Sequence, residues 1–216
     1  MTASPSSSAQ EPRWRRLPEE RPKQILDAAL AVFGERGLSN ARLDEIAKRA
    51  GVSKGTIYLY FPNKEELFRE VIRSTIVAQI EIGEQAAANA TGTATESLGK
   101  IMRGMFEFFR SPTYASIFRL VNAELFNIPD LAVFYAKEVV ERQQRLISGV
   151  IARGMDSGEF RRGDPTISAR MLTSMFLVHG LWCSHRKLCS HIAGRSDEQV
   201  LDELLQFGLS AITARS

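Results

Sequence analysis

Cysteine, histidine and long apolar runs are all scarce in this sequence. Its 216 residues include two cysteines and three histidines, which is too little cysteine for a disulfide framework and favours a reducing compartment. No apolar run approaches the roughly 18 residues of a membrane span, and no hydrophobic stretch follows the polar N-terminus. We therefore expect a cytoplasmic protein with neither a membrane-spanning helix nor a signal peptide.

Several motifs of common enzyme classes are also missing. The chain has no glycine-rich phosphate loop, no HExxH pair and no candidate catalytic triad at a recognisable spacing. All three histidines follow position 178, far in sequence from any plausible nucleophile. We expect that the protein is not an enzyme and needs no cofactor.

Apolar residues recur at helical spacing through most of the chain, and no strand pattern is present. This periodicity predicts an all-α protein of about nine helices. We place them at 21–37, 43–50, 54–60, 63–88, 97–110, 113–127, 129–156, 165–188 and 197–213. Residues 1–18 are rich in Ser, Ala and Pro, and we expect a disordered tail there. Residues 19–64 would form one domain and residues 65–216 a second.

Residues 43–64, LDEIAKRAGVSKGTIYLYFPNK, predict two short helices joined by a tight turn. Gly51 stands where the first helix should end, Ser53 is a good N-cap for the second, and Pro62 ends the second. A short helix with exposed basic and aromatic side chains is suited to a DNA major groove. An ordinary corner inside a helical core is the alternative. The outward-facing side chains would be Lys54, Thr56, Tyr58, Leu59 and Tyr60.

The positive charge is concentrated near the N-terminus. Residues 1–64 hold 11 Lys and Arg against 7 Asp and Glu, whereas residues 65–216 hold 17 against 18. A basic surplus on this part of the chain suits contact with DNA phosphates, and its modest size suggests that two copies bind together. RWRR at 13–16 is either a solvated cluster or a basic arm that reaches phosphates or the minor groove.

Residues 23–68, KQILDAALAVFGERGLSNARLDEIAKRAGVSKGTIYLYFPNKEELF, resemble the DNA-binding domain of the TetR family of bacterial transcriptional regulators. The resemblance implies a homodimeric repressor whose two recognition helices enter a palindromic operator about 34–36 Å apart. It implies a phosphate contact by Tyr58, base reading by Lys54 and a phosphate clamp by Lys64. Arg42 stands where the family usually has threonine. The implied DNA-binding set is Arg42, Lys54, Gly55, Thr56, Tyr58, Leu59, Tyr60 and Lys64.

Large apolar side chains are frequent on the helices predicted between 97 and 156. They either form an ordinary core or line a cavity for a small apolar or aromatic effector, with Arg119, Asn122, Glu124 or His179 as polar anchors. Such an effector would tilt the helix at 63–88 and release DNA by a population shift. The candidate ligand-binding residues are Met102, Met105, Phe106, Phe109, Phe118, Asn122, Phe126, Phe134, Met175 and His179.

The last two predicted helices are apolar on nearly all sides, so each must be covered in several directions. Two such helices from each of two subunits could pack as a four-helix bundle, although a purely intramolecular core is the alternative. The candidate dimer-interface residues are Met171, Leu172, Met175, Trp182, Leu204, Leu205 and Ile212.

CSHRKLCSH at 183–191 contains four residues of metal-ligand type: Cys183, His185, Cys189 and His191. These are either ordinary residues at a helix end or a metal or redox sensor, which would make the regulator respond to metal or oxidation. A Cys183–Cys189 disulfide is not expected, because six helical residues separate the Cα atoms by about 9 Å.

Overall fold

A computed structural model describes residues 20–183 and 194–214 of the chain. The regular structure in these two ranges is helical, apart from one isolated antiparallel bridge between Phe160 and Thr213. The predicted all-α fold of about nine helices is confirmed. The helices are α1 (Glu20–Asn40), α2 (Leu43–Ala50), α3 (Lys54–Tyr60), α4 (64–88), α5 (Ala94–Phe109), α6 (Pro112–Glu124), α7 (129–157), α8 (Pro165–Cys183) and α9 (Asp197–Ile212). The predicted tail, 1–18, lies outside the described residues.

Two helix boundaries differ from the prediction for local reasons. Helix α1 continues to Asn40, beyond the predicted end at Gly37, where a positive φ of 78° kinks it. Helix α5 begins at Ala94 and not at residue 97, because Thr93 and Glu96 form a reciprocal capping box. The Thr93 hydroxyl accepts from the backbone N–H of Glu96, and the Glu96 carboxylate accepts from that of Thr93. This arrangement satisfies two otherwise unpaired donors at the helix start.

Helices α4 and α7 are each interrupted by a π-helical segment. Helix α4 consists of Lys64–Ile72, the π segment Arg73–Val77 and Ala78–Ala88. In α7 the π segment is Ala136–Glu141. The two π segments contact each other, and such bulges occur frequently at functional sites.

One hydrophobic core runs from α1 through to α9. Within it, α1 packs against α2, α4 and, most extensively, α6. The rings of Phe33 on α1 and Phe68 on α4 meet edge to face, with centroids 6.1 Å apart. The first three helices are therefore held by two helices of the bundle, α4 and α6, and not by the chain connection alone.

Candidate nucleic-acid interface and ligand cavity

The turn between α2 and α3 is built from local backbone chemistry. Gly51 adopts the left-handed conformation (φ 67°), and its N–H bonds to carbonyls at the end of α2. The Ser53 hydroxyl then accepts from the N–H of Thr56 at 3.1 Å and caps α3. Ile57 is fully buried and fixes α3 against the core. Residues 51–55 have the G-x-S-x-G spacing of a hydrolase nucleophile elbow, but Ser53 is an N-cap between two helices and does not follow a strand.

The outer face of α3 carries large side chains that the protein itself does not cover. Tyr58, Leu59 and Tyr60 are 49%, 82% and 40% exposed, and Lys54 and Gly55 are also exposed. Three adjacent exposed apolar or aromatic side chains on one seven-residue helix are typical of a contact surface. Among the described residues, the nearest contact of a Cβ added at Gly55 would be Ser53 Oγ at 3.7 Å, so the described part of the fold leaves open space there.

The predicted DNA-contacting cations have partners within the protein. Lys54 Nζ lies 3.1 Å from Asp44 Oδ1, and Arg42 Nη2 lies 3.8 Å from Asp44 Oδ2. Lys64 Nζ donates to the carbonyls of Ser39 at 3.0 Å and Ala41 at 3.3 Å. Two of its three donors therefore hold the α1–α2 connection, which leaves one for a phosphate.

A second feature is a cavity of about 430 Å³, partly open to solvent, that is lined by α4 to α8. Four of the predicted ligand-binding residues line it: Met105, Phe109, Phe118 and Asn122. Two polar groups in the wall are already paired. The Asn122 side chain donates to the Phe118 carbonyl at 2.8 Å, and that of Gln143 to Met105 Sδ at 2.9 Å. Lys100 and Arg170 are the charged members of the described lining, and both are exposed.

The other predicted ligand-binding residues lie elsewhere. Met102 and Phe106 are buried in the core, and Phe134 is covered by the guanidinium groups of Arg69 and Arg73, 4.9 and 5.0 Å from its ring centroid. Met175 and His179 line a separate pocket of about 320 Å³ between α8 and α9. The Phe126 side chain lies outside the described part of the structure.

Glu124 lies at the contact between the bundle and the first three helices, not at the cavity where it could have served as a polar anchor. Its Oε2 accepts from the backbone N–H and from the hydroxyl of Ser39, both at 2.6 Å. A Cβ on Gly37 would lie only 1.9 Å from Glu124 Oε1, so this contact requires glycine at position 37. No local pattern in the sequence indicates this contact, because it depends on how α6 docks on α1.

The predicted dimer-interface residues divide into two groups. Met171 and Trp182, both on α8, are 69% and 52% exposed. Val178 on α8 and Phe207 on α9 are also exposed. Leu172, Leu204, Leu205 and Ile212 are buried within the one chain. Met175 is half-buried, and with Leu172 it lies against Gly208 of α9.

Two further expectations concern the metal-ligand segment at 183–191 and membrane-spanning helices. The Cys183 side chain, His185, Cys189 and His191 lie outside the described residues, so the metal or redox alternative stays a prediction. In residues 20–183 and 194–214, no cluster of three or more potential metal-ligating side chains occurs. Across the same ranges, no helix has the length and apolar character needed to cross a membrane.

Comparison with known proteins finds a family match for the N-terminal part of the chain and another for the C-terminal part. Residues 25–71 match the family described as bacterial regulatory proteins, tetR family, and residues 88–199 match the tetracyclin repressor-like C-terminal domain. The HTH-type transcriptional repressor KstR of Mycolicibacterium smegmatis is 30% identical over 183 residues, which cover 82% of this chain and 84% of that protein. The fatty acid metabolism regulator protein of Bacillus subtilis is 29% identical over 158 residues, covering 72% and 80%.

Solved structures share the fold. The transcriptional regulator FadR of Bacillus subtilis, in complex with stearoyl-CoA, superposes with a TM-score of 0.71 at 24% identity, covering 88% of this chain and 98% of that one. Its fold, together with the two matched domains and the similarity to KstR, gives one consistent assignment. The chain belongs to the TetR family of DNA-binding bacterial transcriptional regulators.

Proposed function

We propose that this protein is a homodimeric repressor that binds a palindromic operator in the cytoplasm and is released by a ligand with an apolar acyl chain. Residues 19–64 are its DNA-binding domain, and residues 65–216 bind the effector and form the dimer. The observation that carries the proposal is the 430 Å³ cavity, whose wall includes a helix, α6, that also holds the DNA-binding domain.

The lining of the cavity favours an amphipathic ligand. Its walls are mainly aliphatic and aromatic, and its volume falls in the usual range for small-molecule sites. Lys100 and Arg170 offer positive charge to an anionic group that extends towards solvent. The relatives support this class, since one is named a fatty acid metabolism regulator and FadR was solved with stearoyl-CoA. An acyl-CoA fits both parts, with its chain in the cavity and its phosphates outside.

Helix α6 offers a direct route from the ligand to the DNA. Phe118, Val121 and Asn122 line the cavity, and Glu124, at the end of the same helix, holds Ser39 just before α2. A ligand that displaces α6 therefore acts on the position of the helix-turn-helix. Helix α4 supplies a second route, because Ile76 in its π segment also lines the cavity. The ligand would shift the population between two dimer geometries, only one of which matches the operator.

The exposed apolar residues on α8 and α9 support the dimer. Val178→Glu places a charge on this face and should make the protein monomeric in analytical ultracentrifugation, because a buried unpaired charge is costly. Val133 is a matched control, since it is a valine of similar exposure (54% against 49%) on α7. Val133→Glu should leave the dimer unchanged. A dimer that persists in Val178→Glu would remove this face from the interface.

Two glycines of α5 provide a test of the cavity. A Cβ at Gly104, which lines the cavity, or at Gly99, which does not, would meet nothing within 4 Å. Replacing either glycine by leucine should raise helix stability by about 0.5–1 kcal/mol. Gly104→Leu should in addition obstruct the ligand, whereas Gly99→Leu should not.

The measurement is the melting temperature with and without stearoyl-CoA. A ligand at 100 times its Kd stabilises the folded state by about 2.7 kcal/mol, which corresponds to a rise of roughly 5–10 °C for a chain of this size. Wild type and Gly99→Leu should show this rise, and Gly104→Leu should not. An equal rise in all three proteins would place the ligand outside the cavity, and no rise in wild type would exclude this acyl-CoA as the ligand.

A further inference from the structure

Two tyrosines in the cavity wall have hydroxyl groups without a hydrogen-bond partner among the described residues. Tyr114 is 5% exposed and lines the cavity. Its ring is fixed by Phe108, Phe109 and Phe118, with centroids 5.2, 4.8 and 6.1 Å away. Tyr135 lines the same cavity from α7. In the part of the chain that the structure describes, neither phenol oxygen makes a hydrogen bond.

A third hydroxyl in this wall also lacks a partner among the described residues. Thr173 on α8 lines the cavity, and its Oγ1 is buried without a hydrogen-bond partner in the described structure. Burying the Thr173 hydroxyl without a partner costs about 1–3 kcal/mol, and valine at this position would avoid that cost. Three hydroxyls without a described protein partner line one cavity, and a ligand there could supply the partner.

The chemistry of the phenols specifies what that partner is. Burial raises the pKa of Tyr135 to about 12. Burial, followed by the nearby Tyr135, also raises the pKa of Tyr114 above its ordinary value. Both groups therefore stay protonated at any physiological pH and act as neutral O–H donors. The charged residues of the described lining, Lys100 and Arg170, are exposed, so a buried anion would lack a buried counter-charge.

We propose that the hydroxyls of Tyr114 and Tyr135 donate hydrogen bonds to an uncharged carbonyl oxygen of the effector, and that this pair sets its specificity. The inference rests on the proposed function, in which the effector is an acyl thioester, and it assigns the thioester carbonyl to the two phenols. Thr173 Oγ1 is a further polar contact in the same wall. A ligand of equal length without the carbonyl would leave both donors unpaired and bind more weakly.

The test compares two probes that differ only at this oxygen. Dodecanoyl-CoA carries the thioester carbonyl, and S-dodecyl-CoA has a methylene in its place. Calorimetric titration of wild type should give about ten-fold tighter binding of dodecanoyl-CoA, which corresponds to about 1.4 kcal/mol. Tyr114→Phe and Tyr135→Phe should each reduce that ratio towards one, while S-dodecyl-CoA binds them as it binds wild type.

The stability of the variants provides an independent readout. Because the hydroxyls are unpaired in the ligand-free protein, both Phe variants should melt at or above the wild-type temperature without ligand. If wild type binds both probes tightly and equally, the carbonyl is not read and this inference is overturned, while the acyl ligand stands. If neither probe binds, the acyl ligand and this inference fail together. A ratio unchanged in both Phe variants would also overturn the assignment to these tyrosines.

Discussion

The contact between Glu124 and Ser39 links the C-terminal helical bundle to the DNA-binding helices, and its removal has a calculable effect. Glu124→Ala removes both 2.6 Å hydrogen bonds to Oε2. Ser39→Ala removes only the one from the hydroxyl, because the backbone N–H remains. The two variants and their double mutant therefore form a cycle that isolates the bond between Ser39 Oγ and the carboxylate.

The expected magnitudes follow from the geometry. A hydrogen bond to a charged group contributes about 1.5–3 kcal/mol when it is shielded from water, and partial exposure here reduces this to about 1 kcal/mol per bond. We expect Glu124→Ala to lower the free energy of unfolding by about 2 kcal/mol and Ser39→Ala by about 1 kcal/mol. The double mutant should lose about 2 kcal/mol, which gives a coupling energy of about 1 kcal/mol.

Urea denaturation, with the m-value held to the wild-type slope, measures all four proteins. Ser116→Ala is a matched control, because Ser116 faces α1 at Gly34 from the same helix but makes no contact with Ser39 or Glu124 among the hydrogen bonds of the described residues. It should show no coupling with Glu124→Ala. Additive losses for Ser39 and Glu124 would refute the hydrogen bond, and full ligand response in Glu124→Ala would refute its role in transmission.

Three further outcomes are expected. Tyr58→Ala should weaken binding to all DNA sequences in gel-shift assays without changing the dimer; unchanged affinity would argue against the proposed docking. Asp44→Asn should tighten DNA binding several-fold at low salt, because it frees Lys54 and removes a negative charge from the DNA face; weaker binding would contradict this arrangement. Hydrogen bonds from the backbone N–H groups of Thr95 and Ala94 lower the pKa of Glu159 from 4.5 to about 2, so its stabilisation is complete above pH 4.5 and is lost as the pH falls towards 2. Glu159→Gln should therefore be less stable than wild type at pH 7, with a difference that closes between pH 4.5 and 2 in denaturation curves.

Local signals predicted the helix-turn-helix well. The structure has α2 at Leu43–Ala50 and α3 at Lys54–Tyr60, as predicted, because Gly51 and Ser53 determine the turn through their own backbone geometry and capping. The start of α5 was missed although it also has a local signal. The capping pair Thr93 and Glu96 is visible in the sequence and places the start of the helix at Ala94.

Features that depend on distant packing were predicted less completely. Helical spacing identifies apolar residues, but it does not show which of them border empty space, so Met105 lines the cavity while Met102 is in the core. In the same way, Leu172 and Leu204 are covered within the chain, whereas Met171 is exposed. Glu124 pairs with Ser39, 85 positions away, and no periodicity encodes such a contact.

In the proposed mechanism, a ligand in the cavity controls DNA binding by the helix-turn-helix. The direct measurement is the affinity for a duplex selected from a random library, by fluorescence anisotropy, with and without stearoyl-CoA at a concentration that calorimetry shows to be saturating. We expect at least about ten-fold weaker DNA binding with ligand for wild type, a change of about 1.4 kcal/mol, and no change for Gly104→Leu. Unchanged DNA affinity of wild type with the ligand bound would contradict it.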